Sequence, residues 1–147
     1  EIHEAHLAAI EARLTRPALR LSRADANTAA SVDCLIVDSF GLLSSIYRYA
    51  RIAYIGGGFG HGIHNAPEAA VYAVPVLFGP NHRKFREALD LIACGGAFPI
   101  ADASTLAARL DALLADPDAC IAAGESAGAY IQQHSGATEQ ILRAIGL

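Results

Sequence analysis

The sequence predicts an α/β fold in which a parallel sheet is covered by helices on both faces. Short apolar segments alternate along the chain with segments whose apolar residues recur at helical spacing. The strand candidates are continuous apolar runs, such as VDCLIV at 32–37, and such runs are typical of strands buried on both faces. The chain has 147 residues, of which 53% are hydrophobic and 18% are charged, so it is predicted to be a single domain.

The predicted elements follow one another with short connections. Strands are predicted at 18–22, 32–37, 52–55, 75–78 and 97–100, and helices at 3–14, 39–49, 65–72, 83–93, 103–114, 117–133 and 138–145. The polar segment 24–31 is predicted to be a loop. Because no strand precedes the first helix, we expect the chain to be a fragment of a larger protein.

Composition and charge exclude several classes of protein. The net charge is −4 and Lys84 is the only lysine, so the basic stripe of a nucleic-acid-binding surface is absent. No run of 18 apolar residues occurs, and the charged opening EIHEAHLAAI is unlike a secretory signal. Cys34, Cys94 and Cys120 are widely spaced in apolar or alanine-rich segments, which predicts reduced, buried thiols in a cytosolic protein.

Three loops follow predicted strands, at the sheet edge where ligands bind in folds of this class. The first loop holds Asp38, Ser39 and Gly41. Asp38 or Ser39 could cap the next helix by accepting a bond from a backbone N–H. Alternatively, Gly41 lets the backbone approach a planar base, since glycine has no side chain to prevent the contact.

The second loop is a glycine run, GGGFG at 56–60. It does not match the G-x-G-x-x-G dinucleotide pattern, and it lacks the Lys-Ser/Thr of a P-loop. Four glycines in five residues exceed the need of a tight turn, and glycine loses much conformational entropy on folding. We interpret the run as a place where the backbone comes close to a phosphate.

The third loop leads into a helix through His64, Asn65, Pro67 and Glu68. Asn65 followed three residues later by Glu68 is close to a capping box, so both residues could simply begin the helix. The alternative is that the Glu68 carboxylate accepts hydrogen bonds from both hydroxyls of a ribose. We favour this alternative, because the glycine run is close enough in sequence to complete a nucleotide-sized site.

Other polar residues near these loops give weaker signals. His61 and His64 lie three positions apart without a third ligand, so no metal site is predicted. Arg83, Lys84 and Arg86 could meet an acidic ligand, but we expect them to solvate the exposed face of their helix.

The order and spacing of these segments resemble the C-terminal domain of Kdo (3-deoxy-D-manno-octulosonic acid) transferases. That family has an acidic residue before a Gly-x-Leu loop, a Y-A-D-I-A-F-V-G-G strand and loop, a G-G-H-N-P-L-E segment, and P-V-x-x-G-P followed by phenylalanine. The counterparts here are 38–43, 49–58, 62–68, and 75–80 with Phe85. The resemblance covers residues 32–100 in detail and the remainder by the order of elements.

The resemblance implies a Rossmann-like fold, the C-terminal half of a GT-B glycosyltransferase. The donor would be CMP-Kdo, and Kdo would pass to a lipid A precursor with inversion and without metal or other cofactor. The positions that would bind CMP-Kdo are Ser39, Gly41, Leu42, Gly57, Gly58, His64, Asn65 and Glu68. The loop at Gly41 would meet the cytosine, and Glu68 would hold the ribose. Gly57, Gly58 and the 61–65 loop would lie near the phosphate and the Kdo carboxylate, and the helix N-terminus would stabilise the CMP leaving group.

The chain departs from the family pattern in two ways. Ile63 stands where a glycine often precedes His-Asn, and Ala66 shifts Pro67 by one position while the Asn65-to-Glu68 spacing is kept. The family's N-terminal domain, with its membrane anchor, acceptor groove and catalytic base, has no counterpart in the sequence. We therefore expect no catalytic residue here, a soluble and inactive fragment, and a full-length enzyme at the cytoplasmic face of the inner membrane.

Two other kinds of function remain open on the sequence. Another GT-B transferase or a UDP-sugar epimerase would also combine a glycine loop with a ribose-binding glutamate. A non-catalytic α/β interaction module would instead leave an apolar patch or a sheet edge open to a partner.

Overall fold

The structure, a computed structural model, describes residues 2–136, 141, 142, 144 and 145. The chain divides into two compact units, residues 1–45 and 46–147, and each is described by itself. Residues 138–140 and 143 of the helix predicted at 138–145 lie outside the described residues.

The first unit contains two short parallel strands. Its elements are α1 (Glu4–Glu11), β1 (Ala18–Arg20), a 3-10 turn (Leu21–Arg23), α2 (Ala26–Ala29), β2 (Cys34–Ile36) and the start of α3 (Leu43–Ile46). Helix α2 lies in the segment predicted to be a loop. The Asp25 carboxylate accepts bonds from the backbone N–H groups of Asn27 and Thr28, at 2.9 and 2.8 Å, and this capping starts a single helical turn.

A buried arginine joins α1 to β1. Arg20 is 4% exposed and is the one buried charged side chain among the described residues. Its guanidinium donates to both oxygens of Glu4, at 2.7 and 2.8 Å, and to both oxygens of Glu11, at 2.7 Å. These charge-assisted bonds offset the free energy lost when the guanidinium leaves water.

The second unit is built on three parallel strands in the order β3-β4-β5. Its elements are the end of α3, a 3-10 turn (Tyr47–Tyr49), β3 (Ala53–Ile55), α4 (Pro67–Ala70), β4 (Val76–Phe78), α5 (Arg86–Ala93), β5 (Ala97–Pro99), α6 (Ala103–Ala115) and α7 (Pro117–Gln133). Ile55 lies opposite Phe78, and Phe78 lies opposite Pro99. Each parallel pair is therefore connected through a helix, as parallel pairing requires.

Helices cover both faces of this sheet. The central-strand residues Val76, Leu77 and Phe78 are fully buried. Val76 and Phe78 pack in one cluster with residues of α4, α5 and α7, whereas Leu77 packs in a second cluster with Leu113 and Cys120. Because successive strand residues point to opposite faces, the two clusters are the two cores of a covered sheet. The predicted α/β, Rossmann-like fold is confirmed.

The expectation of one continuous sheet needs a correction. All five predicted strands are present, but they form two hydrogen-bonded ladders, β1-β2 in the first unit and β3-β4-β5 in the second. Each strand has three residues, shorter than the predicted segments, because the hydrogen-bonded ladders pair only part of each segment.

The long helices of the second unit lie where the sequence predicts them. Asp102 caps α6 by accepting from the Thr105 N–H at 2.8 Å, and Asp116 caps α7 by accepting from the Ala119 N–H at 3.0 Å. Among the described residues, none of the helices has the combination of length and apolarity that crossing a membrane requires.

Candidate functional site

The loops after β3 and β4 leave the sheet at the same edge. Because the strands are parallel, Gly56, directly after β3, and Gly79, directly after β4, both lie at the carboxyl edge. Asn81 connects the two loops, since its backbone N–H donates to the Gly58 carbonyl at 2.9 Å and its side-chain amide donates to the Gly60 carbonyl at 2.7 Å. The predicted glycine run is therefore one of two loops that are hydrogen-bonded to each other at the carboxyl edge of the sheet.

Two glycines of the run are required by the fold itself. Gly57 has a φ of +85°, and a Cβ there would lie 2.3 Å from the Gly62 carbonyl oxygen. A Cβ on Gly58 would lie 2.6 Å from the backbone nitrogen of Gly79. Packing inside the protein thus explains both glycines, so their presence alone is not an argument for a phosphate.

The argument for an anion comes from the backbone amides of the loop. The Gly57 carbonyl accepts from the Gly60 N–H at 2.9 Å, which turns the loop back on itself. Within the described residues, the N–H groups of Gly57 and Gly58 donate no hydrogen bond. Consecutive N–H groups in such a turn are a common anion-binding element of protein backbones.

The segment from His64 to Glu68 lies against the glycine run. The His64 N–H donates to the Gly56 carbonyl at 3.0 Å. The Asn65 side-chain amide donates to Oε1 of Glu68 at 2.8 Å. His64 and Asn65 are exposed and Glu68 is half-buried. A continuous path of contacts therefore joins the glycine run to the Glu68 carboxylate.

The capping-box interpretation of Asn65 and Glu68 is wrong. Helix α4 is a single turn whose N-cap residue is Ala66, and no side-chain hydrogen bond caps it. The Asn65 side chain donates to the Glu68 carboxylate instead, and Ala66, which is 2% exposed and has helical dihedral angles, stands at the N-cap position. A helix of one turn has only a small dipole. An anion at the start of α4 would therefore be bound by the local N–H groups and hardly by the helix dipole.

A tyrosine that no sequence pattern singled out lies in the 3-10 turn that contacts α4, the helix of Glu68. Tyr47 belongs to the 3-10 turn before β3 and packs against the core of the second unit. Burial raises the pKa of Tyr47, and the negative charge of Glu68 raises it further. Helical periodicity alone does not show which tyrosine of this segment faces the candidate site.

Arg83 and Lys84 lie in a turn, and the expectation that they solvate a helix face is wrong. Helix α5 begins only at Arg86, after Phe85 as its N-cap residue. The Phe85 N–H donates to the His82 carbonyl at 2.9 Å, which closes the turn before the helix. The turn and the glycine loop form a concavity of about 570 Å³, lined by Gly60, His61, Pro80, Asn81, Arg83 and Lys84.

The other predicted site residues, Ser39, Gly41 and Leu42, belong to the first unit. All three are exposed. Gly41 has a φ of +84°, and no other heavy atom lies within 4 Å of the position of a Cβ there. Open space above a glycine suits the approach of a planar group, and the role of these residues in binding a base stays a prediction.

Neither Asp38 nor Ser39 caps α3. The Asp38 carboxylate accepts from the Ser22 hydroxyl at 2.5 Å and from the Ser22 backbone N–H at 3.0 Å, and these bonds hold the pKa of Asp38 below its usual value. The helix starts later than predicted, at Leu43, because Gly41 turns the chain through left-handed backbone first.

The histidines and cysteines do not assemble into a cluster. Among the residues that the structure describes, no group of three or more His, Cys, Asp or Glu side chains could hold a metal ion. Cys120 is buried, Cys34 is half-buried and Cys94 is exposed. The prediction of buried thiols is therefore wrong for Cys94, which follows the last residue of α5 where the chain turns toward solvent.

Known proteins with similar sequences and structures share one function in their names. Over 128 residues the chain is 34% identical to the 3-deoxy-D-manno-octulosonic acid transferase of Bordetella pertussis, a match that covers 86% of this chain and 30% of that protein. The crystal structure of the C-terminal CMP-Kdo binding domain of WaaA from Acinetobacter baumannii superposes with a TM-score of 0.75 and 25% identity, over 88% of this chain and 67% of that one. The chain belongs to the Kdo transferase family.

Within the Kdo transferase family, the chain has the fold of the C-terminal domain. A second relative, the transferase of the same name from Aquifex aeolicus, is 33% identical over 84 residues, which are 56% of this chain and 24% of that protein. The chain thus spans less than a third of the length of either Kdo transferase. No family model matches the chain.

Proposed function

We propose that this chain is the donor-binding domain of an inverting glycosyltransferase, and that its donor is CMP-Kdo. The whole protein transfers Kdo to a lipid A precursor in lipopolysaccharide biosynthesis. The observation that carries the proposal is the hydrogen-bonded path from the glycine run to the Glu68 carboxylate, in a fold similar to a solved CMP-Kdo binding domain.

The phosphate and the ribose of a nucleoside monophosphate each have a suitable group at this edge. The N–H groups of Gly57 and Gly58 suit the phosphate. The Glu68 carboxylate suits the two ribose hydroxyls. Asn65 holds Oε1 of Glu68, while Oε2 has no partner among the described residues and can accept from a ligand. The exposed Gly41 loop belongs to the first unit, and its contact with a cytosine stays a prediction.

The chemistry of this domain is the stabilisation of a leaving group. Transfer breaks the bond between the anomeric carbon of Kdo and a phosphate oxygen, so negative charge develops on CMP. N–H groups that already face the phosphate stabilise that charge without reorganisation. The acceptor hydroxyl and its base belong to the rest of the protein. We place the whole enzyme at the cytoplasmic face of the inner membrane, where a water-soluble donor meets a lipid acceptor.

Nucleotide preference tests the proposal against its alternatives. The ¹⁵N-labelled chain is titrated with CMP and with UDP at millimolar concentration, and amide shifts are followed by NMR. We expect CMP to shift the amides of Gly57, Gly58 and Glu68 more than UDP does. A response to UDP alone contradicts the Kdo assignment and favours an epimerase or another GT-B transferase, which the relatives do not favour. The absence of a response to either nucleotide favours an interaction module.

A further inference from the structure

We infer that Arg83 and Lys84 bind the carboxylate of the donor's sugar and so select an acidic sugar over a neutral one. This inference rests on the proposed function, and it extends the site from the nucleotide to the group that is transferred. The two side chains lie in the turn between β4 and α5, outside the segments assigned to the nucleotide.

The turn that contains Arg83 and Lys84 is held against the glycine run by hydrogen bonds from Asn81 and by a close contact with Gly62. Asn81 donates to the Gly58 and Gly60 carbonyls, at 2.9 and 2.7 Å. Lys84 lies over Gly62, so closely that a Cβ on Gly62 would be 3.1 Å from the Lys84 Cε. The concavity of about 570 Å³ between turn and loop therefore borders the glycine run at Gly60.

The cations of this concavity have no acidic partner among the described residues, although Lys84 Nζ lies 5.6 Å from the centre of the Phe85 ring. Neither Arg83 nor Lys84 forms an ion pair with any described residue, and no acidic residue lines the concavity. The neighbouring Arg86 has an acidic partner, because its Nε lies 3.7 Å from Oδ2 of Asp90 on the same helix. Two cations on one wall, in a chain whose net charge is −4, leave a local positive potential that an anion would neutralise.

The structure of an ulosonic acid explains why such an anion would lie here. In Kdo the carboxylate is attached directly to the anomeric carbon, and in CMP-Kdo that same carbon bears the phosphate oxygen. The carboxylate must therefore sit next to the phosphate. A guanidinium binds a carboxylate through two parallel hydrogen bonds, and an ammonium adds a point charge.

The test compares two ligands that differ by the sugar. The unmodified 147-residue chain and its Arg83→Ala/Lys84→Ala double variant are each titrated with CMP and with CMP-Kdo. Binding is followed through the amide chemical shifts by NMR. We expect the double variant to bind CMP-Kdo roughly tenfold more weakly, as the loss of charge-assisted bonds predicts, and to bind CMP unchanged. The Lys84→Arg variant keeps the positive charge, so it should keep most of the preference for CMP-Kdo over CMP.

Arg86→Ala is the matched control, since it removes a nearby charge that does not line the concavity. We expect it to leave the affinities for both ligands unchanged. The inference is overturned if the double variant keeps the preference for CMP-Kdo, or if it loses affinity for CMP to the same extent. A different result, no binding of CMP or CMP-Kdo by the unmodified chain, would overturn the proposed function itself.

Discussion

The backbones of Gly58 and Gly79 cross in direct contact at the carboxyl edge of the three-stranded sheet. A Cβ on Gly58 would lie 2.6 Å from the Gly79 nitrogen, and a Cβ on Gly79 would lie 2.7 Å from the Gly58 carbonyl carbon. The crossing sets the loop after β3 against the loop after β4. It therefore determines where the N–H groups of the glycine run stand relative to Arg83 and Lys84.

This crossing predicts that Gly58→Ala destabilises the protein. The added methyl group would meet backbone atoms, which cannot turn aside as a side chain can, so we expect a loss of about 1–3 kcal/mol in the free energy of unfolding. Chemical denaturation measures the loss. Gly60→Ala is the control, because the nearest atom to its Cβ would be at an ordinary 3.6 Å. Equal stability of the two variants would contradict the crossing.

Glu68→Gln removes the carboxylate charge while preserving the size of the side chain. We expect the affinity for CMP to fall about tenfold, because two charge-assisted bonds to the ribose are weakened. Stability should change by less than about 0.5 kcal/mol, since no side chain caps α4. Calorimetric or NMR titration and thermal unfolding measure the two effects. Glu125→Gln, an exposed change on α7, is the control. A loss of stability with full CMP affinity would exclude the ribose-binding role.

The same Glu68→Gln variant should lower the pKa of Tyr47. Burial is the larger cause of the raised Tyr47 pKa and the Glu68 charge is the smaller one. The pKa should therefore move toward the ordinary value of 10.0 without reaching it. NMR titration of ¹³C-labelled tyrosines, assigned with Tyr47→Phe, measures the shift. An unchanged Tyr47 pKa would show that the two side chains are too far apart to interact.

Acid should destabilise the contact between α1 and β1. Hydrogen bonds from Arg20 hold the pKa values of Glu4 and Glu11 below the ordinary 4.5. A carboxylate whose folded-state pKa is depressed contributes stability that is fully present above pH 4.5 and is lost as pH falls through the folded-state pKa. As the pH is lowered below 4.5, we expect the melting temperature to decrease. The decrease should be less steep for the Glu4→Gln/Glu11→Gln variant.

The control for the acid series is Glu125→Gln, since Glu125 is exposed on α7 and forms no ion pair with the described residues. This variant should keep the pH profile of the unmodified protein. Identical profiles for all three proteins would mean that the Arg20 cluster makes no pH-dependent contribution.

Features that depend on residues close to one another in the chain could be predicted from the sequence alone. Helices α6 and α7 begin where predicted, because Asp102 and Asp116 cap them through backbone groups three residues away. Four of the five strands were found because each is a compact apolar run, and β1 was found because its apolar residues alternate with polar ones. Family membership was also accessible, because the loop motifs keep their order and spacing along the chain.

Only the tertiary structure decided which residues meet across the chain. It brings Gly58 to Gly79, sets the turn of Tyr47 against the helix of Glu68, and puts Arg83 and Lys84 in a turn instead of on a helix. It also turns the Asn65 amide onto the Glu68 carboxylate instead of the start of α4. Periodicity and capping report contacts within a few residues, whereas the pairs at this edge are set by how the sheet and its helices pack.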